Sequence, residues 1–186
     1  RKFWREREKE LVDKLHIQAT TDQLTGIFNR RVVFDALDEA MENANESQDR
    51  EFTTIMFDID FFKQVNDTYG HAGGDAVLIS FAKLLESEIT SPNIVGRIGG
   101  EEFLAILYLN QDQAAEFCKK LIIKINDNTV NFDGIDIKIS SSGGVAFSSE
   151  TNTSADLTNK ADERLYEAKK SGRNRFKLID SELVGD

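Results

Sequence analysis

The chain has 186 residues, 40% of them hydrophobic, and 33 acidic residues against 23 basic ones give a formal charge of −10. That size suits one domain with an appendage, and the charge argues against a nucleic-acid polymer as partner, since such a surface clusters Lys and Arg against phosphate. Cys118 stands alone, which rules out a disulfide framework and a cysteine metal cluster and fits a reducing compartment, and no apolar run approaches the roughly 20 residues of a membrane span.

Residues 1–19 open on "RKFWREREKE", without the apolar core of a signal peptide, and contain no Gly or Pro, so they favour helix. Trp4, Leu11 and Leu15 share one stripe of a seven-residue repeat; Glu8 and Gln18 interrupt it, leaving a weak coiled-coil signal. In "TTDQLTGIFNRR", Thr21 or Asp22 can cap a helix, and Gly26 and Asn29 break one. "RVVFDALDEAMENA" has helical spacing, with Val33, Leu37, Ala40 and Met41 on one face. "FTTIMFDID" is short and β-branched and predicts a strand ending near Asp58. "FFKQVNDTYG" predicts a short helix or turn, and a longer helix runs from Asp75 until "SPN" stops it.

"IVGRIG" and "FLAILYL" predict a hairpin joined through Gly99, Gly100, Glu101 and Glu102, and the second strand lacks polar alternation, as a strand buried on both faces does. "DQAAEFCKKLIIKIND" predicts a helix, "DIKISSSGGVAF" one strand whose glycines mark a bulge or close approach, "SADLTNKADERLYEAKKSG" a helix closed by Gly172, and "RFKLID" a last short strand. Helices and strands mix without strict alternation. The expectation is an α+β fold, with a mainly antiparallel five-stranded sheet covered by helices, over 20–181, with a helical linker at 1–19 and a tail at 182–186.

Adjacent carboxylates at the mouth of a buried strand, as in "RIGGEEF", serve either as solvated turn residues or as oxygen ligands. If the strand that Asp58 ends neighbours this hairpin, Asp58 and Glu101 converge at one sheet edge. Hard oxygen ligands of that kind hold Mg²⁺, which keeps waters and takes substrate phosphates as well.

The stretches "DQLTGIFNRR", "FDIDFFKQVND", "GHAGGDAVL", "RIGGEEF" and "ADERLYEAKKSGRN", in this order over about residues 20–179, resemble the signatures of the GGDEF family, the bacterial diguanylate cyclases. The resemblance implies a fold like the polymerase palm and the class III nucleotide cyclases. It implies condensation of two GTP to cyclic di-GMP with release of two pyrophosphates, Mg²⁺ or Mn²⁺ as cofactor with two ions per site, and a homodimer in which each protomer holds one GTP. It also implies that residues 1–19 join a sensor domain N-terminal to this chain, and that the catalytic domain is cytoplasmic, whether or not the full-length protein is membrane-anchored.

By the same resemblance, Asp58, Glu101, Glu102 and the carbonyl of Ile59 are metal ligands, and Glu101 is the general base for the ribose 3′-hydroxyl. Gly99 and Gly100 let phosphates approach the backbone; read alone, they are a tight turn. Asn66 and Asp75 match the guanine-reading pair. Guanine's N1–H and N2–H are adjacent donors that a carboxylate accepts, whereas adenine offers an acceptor at N1. Read alone, Asp75 is rather a helix N-cap, and His71, a pocket residue by resemblance, is rather a loop histidine with a structural hydrogen bond. Lys63, Lys169 and Arg173 match contacts to the outer phosphates; the last two also suit a helix C-terminus. Phe61 and Phe62 match backbone contacts to phosphate or simply core, and Arg97 faces the site. Asp22 and the run from Asn29 to Arg31 are expected to tie the linker to the domain.

One departure concerns regulation. Many relatives carry an R-x-x-D product-inhibition motif whose Asp lies six residues before the first signature glycine; here those positions are Thr90 and Asn93, and the feedback site is expected to be missing. Retention of Asp58, Gly99, Gly100, Glu101, Glu102, Lys169 and Arg173 favours an active enzyme over its rival, a degenerate domain that binds GTP or a partner without turnover.

Overall fold

The computed structural model describes residues 2–185; Arg1, counted in the linker, and Asp186, counted in the tail, lie outside the described residues. In chain order come α1 (Lys2–Thr20), α2 (Arg30–Glu46), β1 (Thr53–Ile59), α3 (Phe62–Glu88), β2 (Ile94–Gly99), β3 (Glu102–Leu107), α4 (Gln111–Asp127), β4 (Thr129–Phe132), β5 (Ile135–Lys138), β6 (Ser141–Phe147), α5 (Ser154–Lys170), β7 (Arg175–Lys177) and β8 (Glu182–Val184). The main sheet has the order β2-β3-β1-β6-β7-β8 and is antiparallel except between β6 and β7. A separate hairpin pairs β4 with β5.

The α+β class stands, with six strands in the main sheet rather than five. Residues Glu182–Val184, read from the sequence as tail, pair with β7 as an edge strand. The single strand expected over "DIKISSSGGVAF" is two. β5 ends at Lys138 in its hairpin, whose turn residues Asp133 and Gly134 have φ of 49° and 78°, the left-handed pair that a two-residue turn requires. The short helix expected over "FFKQVNDTYG" is present from Phe62 and continues across a kink at Gly70, where φ 74° and ψ 175° break helical geometry, into the longer helix, which therefore starts before Asp75. A residue with a side chain would be strained at that φ, and glycine lets the chain turn and resume.

β1 is buried along its whole length because helices cover both faces of the sheet. Its period of two sorts side chains between two cores. Ile55, Phe57 and Ile59 meet Val77, Phe81 and Leu85 of α3 and Leu121 and Ile125 of α4. Met56 lies on the other side, with Leu37 of α2 and Ala161 and Leu165 of α5. The same alternation sends Asp58 toward the α5 face. α1 stands apart, with Trp4, Leu11 and Leu15 exposed. Among the described residues no helix is long and apolar enough to cross a membrane.

Candidate active site

Antiparallel pairing sets Asp58 opposite Glu102 in the β1/β3 ladder, and Ile59 N donates to the Glu101 carbonyl at 3.3 Å. The expected convergence of Asp58 with the acidic turn is therefore the register of the central sheet. Gly99 pairs with Glu102, so Gly100 and Glu101 form the turn itself. Gly100 lacks a positive φ, and a Cβ there would meet nothing within 4 Å; neither backbone nor packing requires glycine at this position. At Gly99 a Cβ would come 3.2 Å from Glu102 Oε2.

Asp58 is only 6% exposed, and Lys169 Nζ donates to its Oδ2 at 2.6 Å. Burial pushes the Asp58 carboxyl up to about 6; Lys169 pulls it down, and the charges of Glu101 and Glu102 push it up again. The ammonium of Lys169 thus offsets part of the negative charge that Glu101 and Glu102 bring to Asp58. Lys169 reaches Asp58 because α5 sits directly on β6. A Cβ on Gly144 would lie 1.8 Å from the Ala161 carbonyl oxygen, so only glycine admits this approach. Arg164 fixes the register by donating to the Val145 carbonyl at 2.7 Å and to both oxygens of Glu150 at 2.7 and 2.6 Å. Burial raises the Glu150 carboxyl, but Arg164 and the Phe147 amide hold it below its ordinary value.

Among the described residues no group of three His, Cys, Asp or Glu side chains is gathered closely enough to hold a metal ion without other ligands. The donor set nevertheless fits a hard divalent cation. Its oxygens are all carboxylate or carbonyl, their mutual repulsion is relieved by positive charge, and Mg²⁺ completes its shell with water and phosphate.

α3 starts without a side-chain cap, and its N-cap Phe61 has φ 55°. Its first backbone N–H groups are open to an anion. Lys63 is exposed in that first turn and has no ion pair among the described residues. Arg173, also left-handed with φ 62°, places its guanidinium 4.6 Å from the centre of the exposed Phe61 ring. Phe62 packs against the core instead.

The kink at Gly70 folds the two parts of α3 so that Asn66 lies against Gly74, next to Asp75; a Cβ on Gly74 would sit 1.9 Å from Asn66 Oδ1. Asp75 lies inside the helix rather than at its cap. His71 is exposed just past the kink. Arg97 is occupied: it donates to the Gly100 carbonyl at 2.9 Å and to Asp22 at 3.1 Å. Asp22 and Asn29 stand where a tie to the linker was expected, for Asn29 and Arg31 donate to the Ala19 carbonyl at 3.0 and 2.6 Å. Burial raises Asp22, but hydrogen bonds from Thr25 and Arg97 hold its carboxyl below the ordinary value.

Asp60 escaped the sequence reading. It is buried and accepts hydrogen bonds from Ser140, Ser142 and the Asn174 amide. A second acid two residues beyond Asp58 was its only signal in "FDID".

The model of a family described as "Diguanylate cyclase, GGDEF domain" matches residues 19–175. Diguanylate cyclase DgcS of Shewanella oneidensis is 36% identical over 170 residues, covering 91% of this chain and 56% of that protein. Diguanylate cyclase A of Treponema denticola is 36% identical over 168 residues, covering 88% of this chain and 45% of the relative. The chain thus spans about half the length of the curated relatives it matches. The coiled coil and GGDEF domain of DgcB from Caulobacter crescentus, solved in complex with c-di-GMP, superposes with a TM-score of 0.85 at 28% identity over 94% of this chain and 93% of that one. The GGDEF domain of DgcB alone gives 0.81 at 31% identity, over 88% and 97%.

Proposed function

This chain belongs to the GGDEF family of diguanylate cyclase domains, and we propose on that premise that it condenses two GTP into cyclic di-GMP with release of two pyrophosphates. The observation that carries the proposal is the convergence of Asp58 with the turn bearing Glu101 and Glu102, supported by Asn66 lying against Gly74, the residue before Asp75.

Asp75 and Asn66 read guanine by accepting its paired donors, with His71 lining the pocket. The open N-terminus of α3, at Phe61, Phe62 and Lys63, takes phosphate oxygens together with Lys169 and Arg173. The empty space above Gly100, with Gly99 beside it, leaves the turn backbone accessible to phosphate. Arg97 holds that turn through the Gly100 carbonyl and acts on phosphate only through it. Asp58, Glu101, Glu102 and the Ile59 carbonyl are the groups that would hold Mg²⁺ or Mn²⁺, two ions per site. A bound divalent cation would supply charge neutralisation on the triphosphate and favour an ionised 3′-oxygen.

In each bond-forming step a ribose 3′-oxygen attacks the α-phosphorus of the other nucleotide. Its proton passes to Glu101, the α–β phosphoanhydride bond breaks, and pyrophosphate leaves. One base-reading pair holds one guanine, and the product contains two, so two copies face each other across the forming bonds. Residues 1–19 link this catalytic unit to a sensor domain preceding it. The DgcB structures, solved with c-di-GMP, support the product assignment.

Incubation with GTP and Mg²⁺, with the product identified by mass, tests the proposal. Cyclic di-GMP is expected, and no dinucleotide from ATP. Binding of GTP without product would make the domain a nucleotide-binding module instead.

A further inference from the structure

Asp60 is 4% exposed and has no cationic partner among the described residues. Hydrogen-bond donors alone meet its charge: Ser142 Oγ donates to Oδ1 at 2.6 Å, while Ser140 Oγ at 2.6 Å and the Asn174 backbone amide at 2.9 Å donate to Oδ2. Its own amide donates to the Ser140 carbonyl at 2.9 Å. A carboxylate buried in this way is costly compared with an apolar side chain of similar size, so packing alone is a poor reason for it.

Its neighbours supply a better one. Phe61, the next residue, has φ 55°; Arg173 and Asn174 have φ 62° and 48°. Left-handed non-glycine residues persist where their surroundings over-determine them. Asp60 is what joins these segments, since its carboxylate bonds the residue after Arg173 and its backbone leads into Phe61. The loop is also held by Arg173 N donating to the Ala168 carbonyl at 3.0 Å and by Gly185 N donating to the Asn174 carbonyl at 2.8 Å. The outcome is the Arg173 guanidinium stacked 4.6 Å over the Phe61 ring, beside the uncapped start of α3.

We propose that Asp60 is a positioning residue for the outer phosphates of the nucleotide. It clips the loop after α5 to the turn before α3, so that Arg173 and the α3 N-terminus present one preformed cradle before ligand arrives. This rests on the GTP reading above and adds to it a residue that touches no substrate atom. A residue that merely supports the fold would affect all nucleotides alike; Asp60 is expected to separate those that carry outer phosphates from those that lack them.

The experiment compares binding of GMP with that of the non-reactive α,β-methylene analogue of GTP, by titration calorimetry, in variants shown to be folded by circular dichroism. Asp60→Ser removes the reach to the Asn174 amide and should weaken the analogue about tenfold while GMP stays within about twofold. Asp60→Asn keeps an acceptor for that amide and should restore analogue binding to within about threefold of wild type. Equal loss of both nucleotides, or no loss of either, overturns the proposal. Should Asp60→Ser not fold, hydrogen exchange in the wild type decides. The Asn174 amide is expected to be as protected in the free protein as with the analogue bound, and protection that rises more than about tenfold on binding overturns the preformed clip. Failure of the wild type to bind either nucleotide sinks the GTP reading instead, and exchange in the free protein still reports on the clip.

Discussion

Lys169 Nζ lies 2.6 Å from Asp58 Oδ2, a pairing across 111 residues of chain that anchors the end of α5 to the end of β1. Burial and the nearby Glu101 and Glu102 still leave the Asp58 carboxyl raised to about 6, above its ordinary value. Between about pH 4 and 6 the folded state holds a proton that the unfolded state has released. This group's contribution therefore makes stability fall as pH rises through that window, with the full penalty present above it. In metal-free buffer at pH 7, Asp58→Asn should stabilise the fold by about 1–3 kcal/mol, read from urea unfolding, and should flatten the decline expected of wild type between pH 4 and 6. A variant less stable than wild type at pH 7 would show that the Lys169 pairing outweighs the burial cost.

Glu101 occupies the turn between β2 and β3 and is only partly buried. Glu101→Gln keeps the shape and removes the charge. Product formation should fall at least about 100-fold, with unfolding stability unchanged within about 0.5 kcal/mol. Near-normal turnover by the variant would remove Glu101 from the role of base.

Gly74→Ala would place a Cβ 1.9 Å from Asn66 Oδ1. The movable atom is the end of the Asn66 side chain, so the expected result is a folded protein with a displaced guanine contact. Affinity for GTP should drop about tenfold or more, the value of one hydrogen bond to the base. Asp75→Ser should in turn narrow the preference for GTP over ATP in a competition assay. Selectivity unchanged in both variants would locate base recognition elsewhere.

Product feedback should be weak. Asn93 uses its Oδ1 to accept from the Tyr108 amide at 2.8 Å, and its own amide donates to the Thr90 carbonyl at 3.0 Å. Both residues are neutral, so charge-assisted contacts to a dinucleotide are lacking. Cyclic di-GMP titrated into a pyrophosphate-release assay should inhibit only as a competitor of GTP. Tight noncompetitive inhibition would reveal a product site that these two positions do not supply.

The core strand β3 was legible because "FLAILYL" lacks polar alternation, so that only burial on both faces accommodates it. The convergence of Asp58 and Glu101 was legible only as a condition on β1 lying beside the hairpin, since no tight turn joins β1 to β3 and fixes their register. The division of α3 into a short and a long part was legible, but not that the second part resumes directly after Gly70. Gly70 was visible, but whether a helix stops or resumes after a glycine depends on what the second half packs against, here the core through Val77 and Phe81. The break between β5 and β6 was hidden because "IDIKI" keeps the alternation of a strand up to Ile139, although Asp133 and Gly134 were a usable hairpin signal. Asp60 was missed because its partners Ser140 and Asn174 lie 80 and 114 residues away, and no local pattern marks them.

Arg97 makes the root of α1 and the glutamate turn a single mechanical part. Asn29 and Arg31 grip the last turn of the helix at Ala19, Asp22 follows within the same short segment, and Arg97 spans from Asp22 to the Gly100 carbonyl. A torsion bar is only as useful as its clamp, and this clamp sits beside Glu101. Twist applied along α1 is delivered to the turn rather than dissipated in a loose joint. Asp22→Ala releases the clamp while leaving α1 held through Asn29 and Arg31. Hydrogen exchange at the Gly100 and Glu101 amides should then quicken about fivefold to tenfold, the equivalent of roughly 1 kcal/mol of local opening, with exchange in β1 unchanged. Unaltered exchange at the turn would mean that the bar ends in free air.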